Sequence, residues 1–267
     1  MGILLAALSA LYYPAMLRLV QYWHRSEDYS HGFLIIPLSL YMIWQKRDEL
    51  RRVIVQPNNA GLILTISAVG IYVIAEFAGV MTLAALSIIP ITMGSIWFLF
   101  GNEMLKQLLF PVCFLIFMIP VPGQVYSAAT FPLQLFVSTF STYISQIMSI
   151  PVYREGNIIH LPEHTLQVVQ ACSGLRSMIS LLSLSAVFGY FSLRANFLRA
   201  VLFASGIPVA IMVNVVRVVA MILAFHYFDM DLTQGSIHTF FGAAIFVLAI
   251  ILLVALRGIL SKWDKSA

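Results

Sequence analysis

The chain has 267 residues, 61% of them hydrophobic and 10% charged, where soluble domains run near ~45–50% and ~25%. At a mean hydropathy of +0.93 it cannot cover itself with polar surface in water, which excludes an ordinary soluble enzyme and a disordered chain and leaves a protein solvated by lipid. The net charge of +4 sits in short loops between apolar runs, a mark of membrane topology rather than of a nucleic-acid surface.

A spanning helix needs about 20 mainly apolar residues. Runs of that kind are predicted over 3–20, 31–45, 60–77, 80–100, 107–121, 173–191, 199–225 and 238–256. No cleavable signal peptide is expected, because the first run has no basic lead. Cys113 lies inside the apolar run PVCFLIF and reads as buried filler. The stretch 127–149 mixes Thr130, Gln134, Ser138, Ser141, Thr142 and Ser145 with apolar residues. It is predicted as an amphipathic helix on the outer surface. With eight spans and both termini inside, the basic loops 46–52, 194–199 and 257–265, with Lys106, all face the cytoplasm. They hold 10 of the 15 Lys and Arg. Arg18, at the end of the first run, argues weakly the other way. The outer side then holds 21–31, 122–172 and 226–238. In the second of these, VYREGNIIHLPEHTLQVVQ has short β-like runs broken by Gly156 and Pro162, which read as a small β-hairpin at the membrane surface. The predicted fold class is all-α integral membrane: one domain over 1–267, a bundle of about eight transmembrane helices with 122–172 as an outer, interfacial segment.

Three side chains with useful chemistry fall at outer ends of predicted spans. Cys172, in VVQACSGLRSM, stands where the outer segment enters the sixth span. A thiol at a helix start feels the positive end of the helix dipole, which favours the nucleophilic thiolate. A small buried residue at a helix end is an equally good reading of position alone. Arg217, in MVNVVRVVAMI, lies inside the seventh span, where an arginine costs on the order of 3 kcal/mol. It is 18 residues past Arg199, about 27 Å along a helix, level with Cys172. His238, in TQGSIHTFFG, opens the last span and reads as well as an interfacial cap. A Cys with a nearby His is the pair needed for thiol nucleophilic catalysis. Asn214 precedes Arg217 by about one turn and can orient it. Arg176 follows Cys172 by one turn and is a candidate substrate or headgroup contact. Ser173 ranks below Cys172, since a helix cap explains it without chemistry. His31 starts the second span on the outer side. His160 and His164 lie four apart without a helix to bring them together, so no metal site is expected.

These blocks resemble the exosortase/archaeosortase family of integral-membrane cysteine transpeptidases. The matching stretches are SEDYSHGFLIIPLSLYMIW, VYREGNIIHLP, VVQACSGLRSM, NVVRVVAM and QGSIHTFFG, in that order along nearly the whole chain. The resemblance implies Cys172 as nucleophile, with Arg217 and His238 completing a catalytic triad, and no cofactor. It implies a Gram-negative inner membrane with the active site facing the periplasm. The implied partners are exported proteins with a C-terminal PEP-type motif followed by a transmembrane helix, together with membrane lipids and no nucleic acid. The rival reading is a polytopic transporter, or a non-catalytic membrane component of polysaccharide export. A transporter should carry polar residues through the full depth of several spans, whereas the ionisable residues here gather at one end.

Overall fold

A computed structural model describes residues 2–26, 29–162, 164–168, 174–233 and 235–264. The chain divides into two compact units, Met1–Pro122 and Gly123–Ala267. The first holds α1 (Gly2–Arg25), α2 (Gly32–Gln45), α3 (Arg47–Leu50), α4 (Asn59–Phe77), α5 (Met81–Leu86), α6 (Ile88–Phe100) and α7 (Asn102–Phe114), the last tightening into a 3₁₀ turn over Leu115–Met118. The second holds α8 (Gly123–Ile147), the strands β1 (Tyr153–Glu155), β2 (Ile158–His160) and β3 (Thr165–Gln167), then α9 (Gly174–Ser192), α10 (Asn196–Phe228) and α11 (Gly235–Asp264). All eight predicted runs fall on helices, and the fourth is broken at Ser87 into α5 and α6. The protein is a multi-pass membrane protein. By length and composition Asn59–Phe77, Met81–Phe100, Asn196–Phe228 and Gly235–Asp264 can each cross a membrane by themselves, and Gly32–Gln45 is a shorter apolar helix.

In the first unit, polar side chains take up backbone groups that helix ends leave open. The 3₁₀ turn after α7 frees carbonyls that α1 and the start of α2 collect. Trp23 Nε1 donates to the Met118 carbonyl at 2.8 Å, and His31 Nε2 donates to the Phe117 carbonyl at 3.2 Å. Thr82 donates to the Pro120 carbonyl at 2.9 Å, and the Val121 N–H donates to the Tyr29 hydroxyl at 2.9 Å. Burial pushes the Tyr29 phenol above its ordinary value. Arg18 forms an ion pair with Glu76 of α4, so its charge is matched locally. That pairing accounts for a cation at odds with the loop-charge pattern. Beneath it, Tyr12 and Ser87 bond at 2.6 Å, and the rings of Tyr12 and Tyr72 lie 4.4 Å apart.

Cys113 is exposed on α7, which corrects the reading of it as buried filler. Its neighbours Val112 and Phe114 are the ones turned inward. In a helix bathed by lipid an apolar run does not tell the inner face from the outer one, because both are apolar.

In the second unit, α8 is polar inside and aromatic outside. Thr130, Ser138, Ser141, Thr142 and Ser145 are buried, while Phe131, Phe136, Phe140, Tyr143 and Ile147 are exposed. Small hydroxyl residues let helices approach closely and can bond backbone carbonyls. Ser141 reaches the Val215 carbonyl of α10 at 3.5 Å. The same helix holds the sheet, with Ser138 donating to the Gly156 carbonyl at 3.2 Å and Asn157 donating to Gln134 at 3.1 Å.

The hairpin expected over this stretch is present, and a third strand extends it. The sheet is antiparallel in the order β1-β2-β3. Gly156, at φ +61°, makes the tight β1–β2 turn, in a region that favours glycine. Ile159, Leu166 and Val168 bury one face of the sheet against Val218, Met221 and Ile222 of α10. At the far end of α10, the Asp264 carboxylate of α11 accepts from the N–H groups of Arg194 and Ala195 at 2.6 and 3.0 Å. These bonds hold the turn that leads into α10 and keep that carboxyl below its ordinary range.

Helices α4 and α6 cross at two glycines. A Cβ on Gly61 would stand 2.2 Å from the Phe98 nitrogen, and one on Gly94 would stand 2.8 Å from the Thr65 nitrogen. Both obstacles are backbone, so Gly61→Val should destabilise the protein by about 1–3 kcal/mol. Gly70→Ala on the same helix meets nothing within 4 Å and should be tolerated. Thermal unfolding of the two variants in detergent checks the contrast, and equal midpoints would show that the crossing is not tight.

Candidate active site

Arg217 is placed by α10, which runs 33 residues, about 50 Å. Only 8% of the residue is exposed. Its Nη2 donates to the Gly242 carbonyl of α11 at 3.4 Å. A Cβ at Gly242 would stand 3.7 Å from the guanidinium, an ordinary contact. Asn214 is buried one turn away on α10. With Arg217 it lines a cavity of about 10 Å³ walled by Leu181 of α9, Val213 and Ala249. Helices α9, α10 and α11 therefore meet at this point. Leu181, Ala210, Val213, Ile245 and Leu253 pack there as one core.

His238 stands in the first turn of α11, half-buried. Its Nδ1 lies 3.0 Å from the Leu232 carbonyl. A carbonyl only accepts, so Nδ1 carries the proton and Nε2 is the basic nitrogen. Gly242 is four residues further along α11, on the same face and about 6 Å away along the axis. His238 and Gly242, which takes the Arg217 bond, thus share one face of α11, one turn apart.

The loop that supplies the Leu232 carbonyl is itself held. Asp229 caps α10 in the left-handed region at φ +50°, and its carboxylate lies 2.9 Å from His164 Nε2. The His164 ring packs 4.7 Å from Phe225. Asp231 accepts from the N–H and hydroxyl of Thr233 at 2.7 and 2.5 Å. Those bonds hold its carboxyl below the usual range, with smaller contributions from His164 and His238. Leu232, next after Asp231, is buried in the core under the sheet.

Of the residues singled out in the sequence, Arg217, Asn214 and His238 are gathered around α10 and α11. His31 belongs to the first unit, where its Nε2 holds the end of α7. Cys172 and Ser173 lie outside the described residues, as does the side chain of Arg176. Gly174, two residues past Cys172, begins α9. His160 and His164 have separate partners: His160 stacks on Tyr153 at 4.5 Å, and His164 pairs with Asp229. Sequence reasoning missed Gly242, Asp231 and the Leu232 carbonyl.

A model of the transmembrane exosortase family matches residues 23–255. The chain belongs to that family. The match takes in the polar end of α1 and all of α10, and it reaches through most of α11. Comparisons with curated proteins and with solved structures give no match. Membership gives this exosortase a membrane-bound sorting role of the peptidase or transpeptidase kind.

The lowered carboxyl of Asp231 gives a pH test of the α10–α11 loop. A carboxyl depressed in the folded state adds stability above its unfolded value, here 3.8. That stability is lost as pH falls through the folded value. Asp231→Asn should therefore unfold at a lower temperature than the parent near neutral pH, and the gap should close below about pH 4. Thermal unfolding of both proteins across that range is the measurement. A gap that persists in acid would mean the bonds to Thr233 do not depend on the charge.

Proposed function

We propose that this exosortase is a cysteine transpeptidase acting on the C-terminal PEP-type tail of exported proteins, at the periplasmic side of a bacterial inner membrane. The single observation that carries the reading is the pair on one face of α11: a buried guanidinium, and an imidazole whose Nδ1–H is fixed by a carbonyl so that Nε2 is basic. Family membership supplies the reaction class.

Nε2 of His238 takes the thiol proton of Cys172. The thiolate attacks the carbonyl carbon of the scissile peptide bond, and Arg217 stabilises the negative oxygen of the tetrahedral intermediate. Collapse breaks the C–N bond, and the imidazolium returns its proton to the leaving amine, which departs with the tail's own membrane helix. The exported protein is left as a thioester on Cys172. A second nucleophile, deprotonated by the same Nε2, attacks that thioester and frees the thiol. A tail whose own apolar helix lies in lipid presents its motif at the interface, and the Glu of that motif is a natural partner for an arginine.

Cys172→Ala should abolish tail processing while the protein still inserts. His238→Ala should slow processing by about 10²–10⁴-fold, and Arg217→Lys by about 10²-fold or more, since a point charge cannot reproduce the guanidinium fork. Trapping a covalent adduct of a tail peptide on Cys172 tests the reading directly. Full processing by Cys172→Ala would instead favour a transporter or scaffold.

A further inference from the structure

The small sheet has an unused edge. β3 pairs with β2 in the register His160↔Thr165, Ile159↔Leu166 and Ile158↔Gln167. Bonded and non-bonded pairs alternate along an antiparallel ladder. The ladder is bracketed by bonds from the Leu161 N–H to the His164 carbonyl at 2.8 Å and from the Val168 N–H to the Asn157 carbonyl at 3.0 Å. Ile159 and Leu166 are therefore the bonded pair between them. The N–H and C=O of Thr165 and of Gln167 then point away from β2, along the free edge. Among the described residues no strand takes them. Thr165 and Gln167 are both exposed, while Leu166 between them is 1% exposed and anchored in the core.

Proteins ordinarily blunt such an edge with lysine, proline or a bulge. β3 carries none of these: its sequence is TLQ, uncharged. It is also anchored rather than loose, with Ile159, Leu166 and Val168 packed on α10. Gln167 is five residues before Cys172. That length of chain reaches at most about 18 Å.

We propose that β3 binds the substrate tail around its scissile bond as an added strand, through the outward N–H and C=O of Thr165 and Gln167. The inference rests on the transpeptidase reading above and adds its substrate subsite. A peptidase needs its scissile bond extended and held beside the nucleophile, and an open strand edge does this for any sequence. Main-chain bonds give affinity, and contacts to alternate side chains give selectivity. The exposed side chains of Thr165 and Gln167 flank the added strand and are placed to discriminate among tails.

The test uses the full-length enzyme in detergent and a set of tail peptides N-methylated at one residue at a time across the scissile bond. Binding as a strand makes the losses alternate: every second methyl should raise KM about five- to tenfold, the worth of one backbone bond, and those between should be nearly silent. Gln167→Pro removes an outward N–H without removing a bond to β2, and it should raise KM similarly while leaving the rate of Cys172 labelling by a small thiol reagent unchanged. If that variant does not fold, the peptide scan on the parent enzyme decides alone. A flat scan with Cys172 still required for processing overturns the edge and spares the transpeptidase. Processing that survives Cys172→Ala overturns the transpeptidase itself. An alternating scan is not expected if the edge instead joins two copies of the chain. In that case Gln167→Pro would lower the oligomeric state and leave KM alone, and the proposal would fall.

Discussion

A buried guanidinium is the constraint on which the second unit depends. An arginine within an apolar helix is costly unless its N–H groups find acceptors out of water. Arg217 reaches across to the Gly242 carbonyl, and a helix carbonyl can accept from a side chain only where the two backbones lie close. Asn214 stands beside Arg217, and α9 closes the cavity through Leu181. The crossing of α10 and α11 is thereby fixed at the depth of Arg217. The first turn of α11, with His238, is fixed in turn because it lies one turn from the same contact.

The loop joining these two helices works from the other side. Its buried Leu232 presents a carbonyl to Nδ1 of His238, and two carboxylates just before it keep it in place, Asp229 through His164 and Asp231 through Thr233. His164 arrives from the loop between β2 and β3, so the sheet, the end of α10 and the start of α11 form one connected polar assembly. The tautomer of a histidine is thus set by a chain that begins in a strand loop more than seventy residues earlier.

The first unit applies the same economy without a site in view. The turn after α7 frees backbone groups, and nearby aromatic and hydroxyl side chains collect them: Trp23 at Met118, His31 at Phe117, Thr82 at Pro120. In the sequence His31 starts the second span on the outer side. Its bond to the α7 carbonyl gives it a structural task within the first unit.

By itself the sequence determined the solvent, the helices and the site's ingredients. Composition required lipid, the eight apolar runs each fell on helix, and Gly156 and Pro162 marked the breaks around a small hairpin. Arg217, Asn214 and His238 stood out because polar groups in apolar runs are expensive. What only the tertiary structure decided was direction. Hydropathy does not distinguish a lipid-facing side from a core-facing one, so Cys113 proved exposed, and α8 turned its hydroxyls inward and its aromatics outward. Nor does a sequence display which carbonyl a guanidinium or an imidazole will meet, since those acceptors belong to the backbone and carry no residue signature. Gly242 gained its role only when α10 and α11 were laid side by side, and Leu232 only when the loop between them turned its carbonyl to His238.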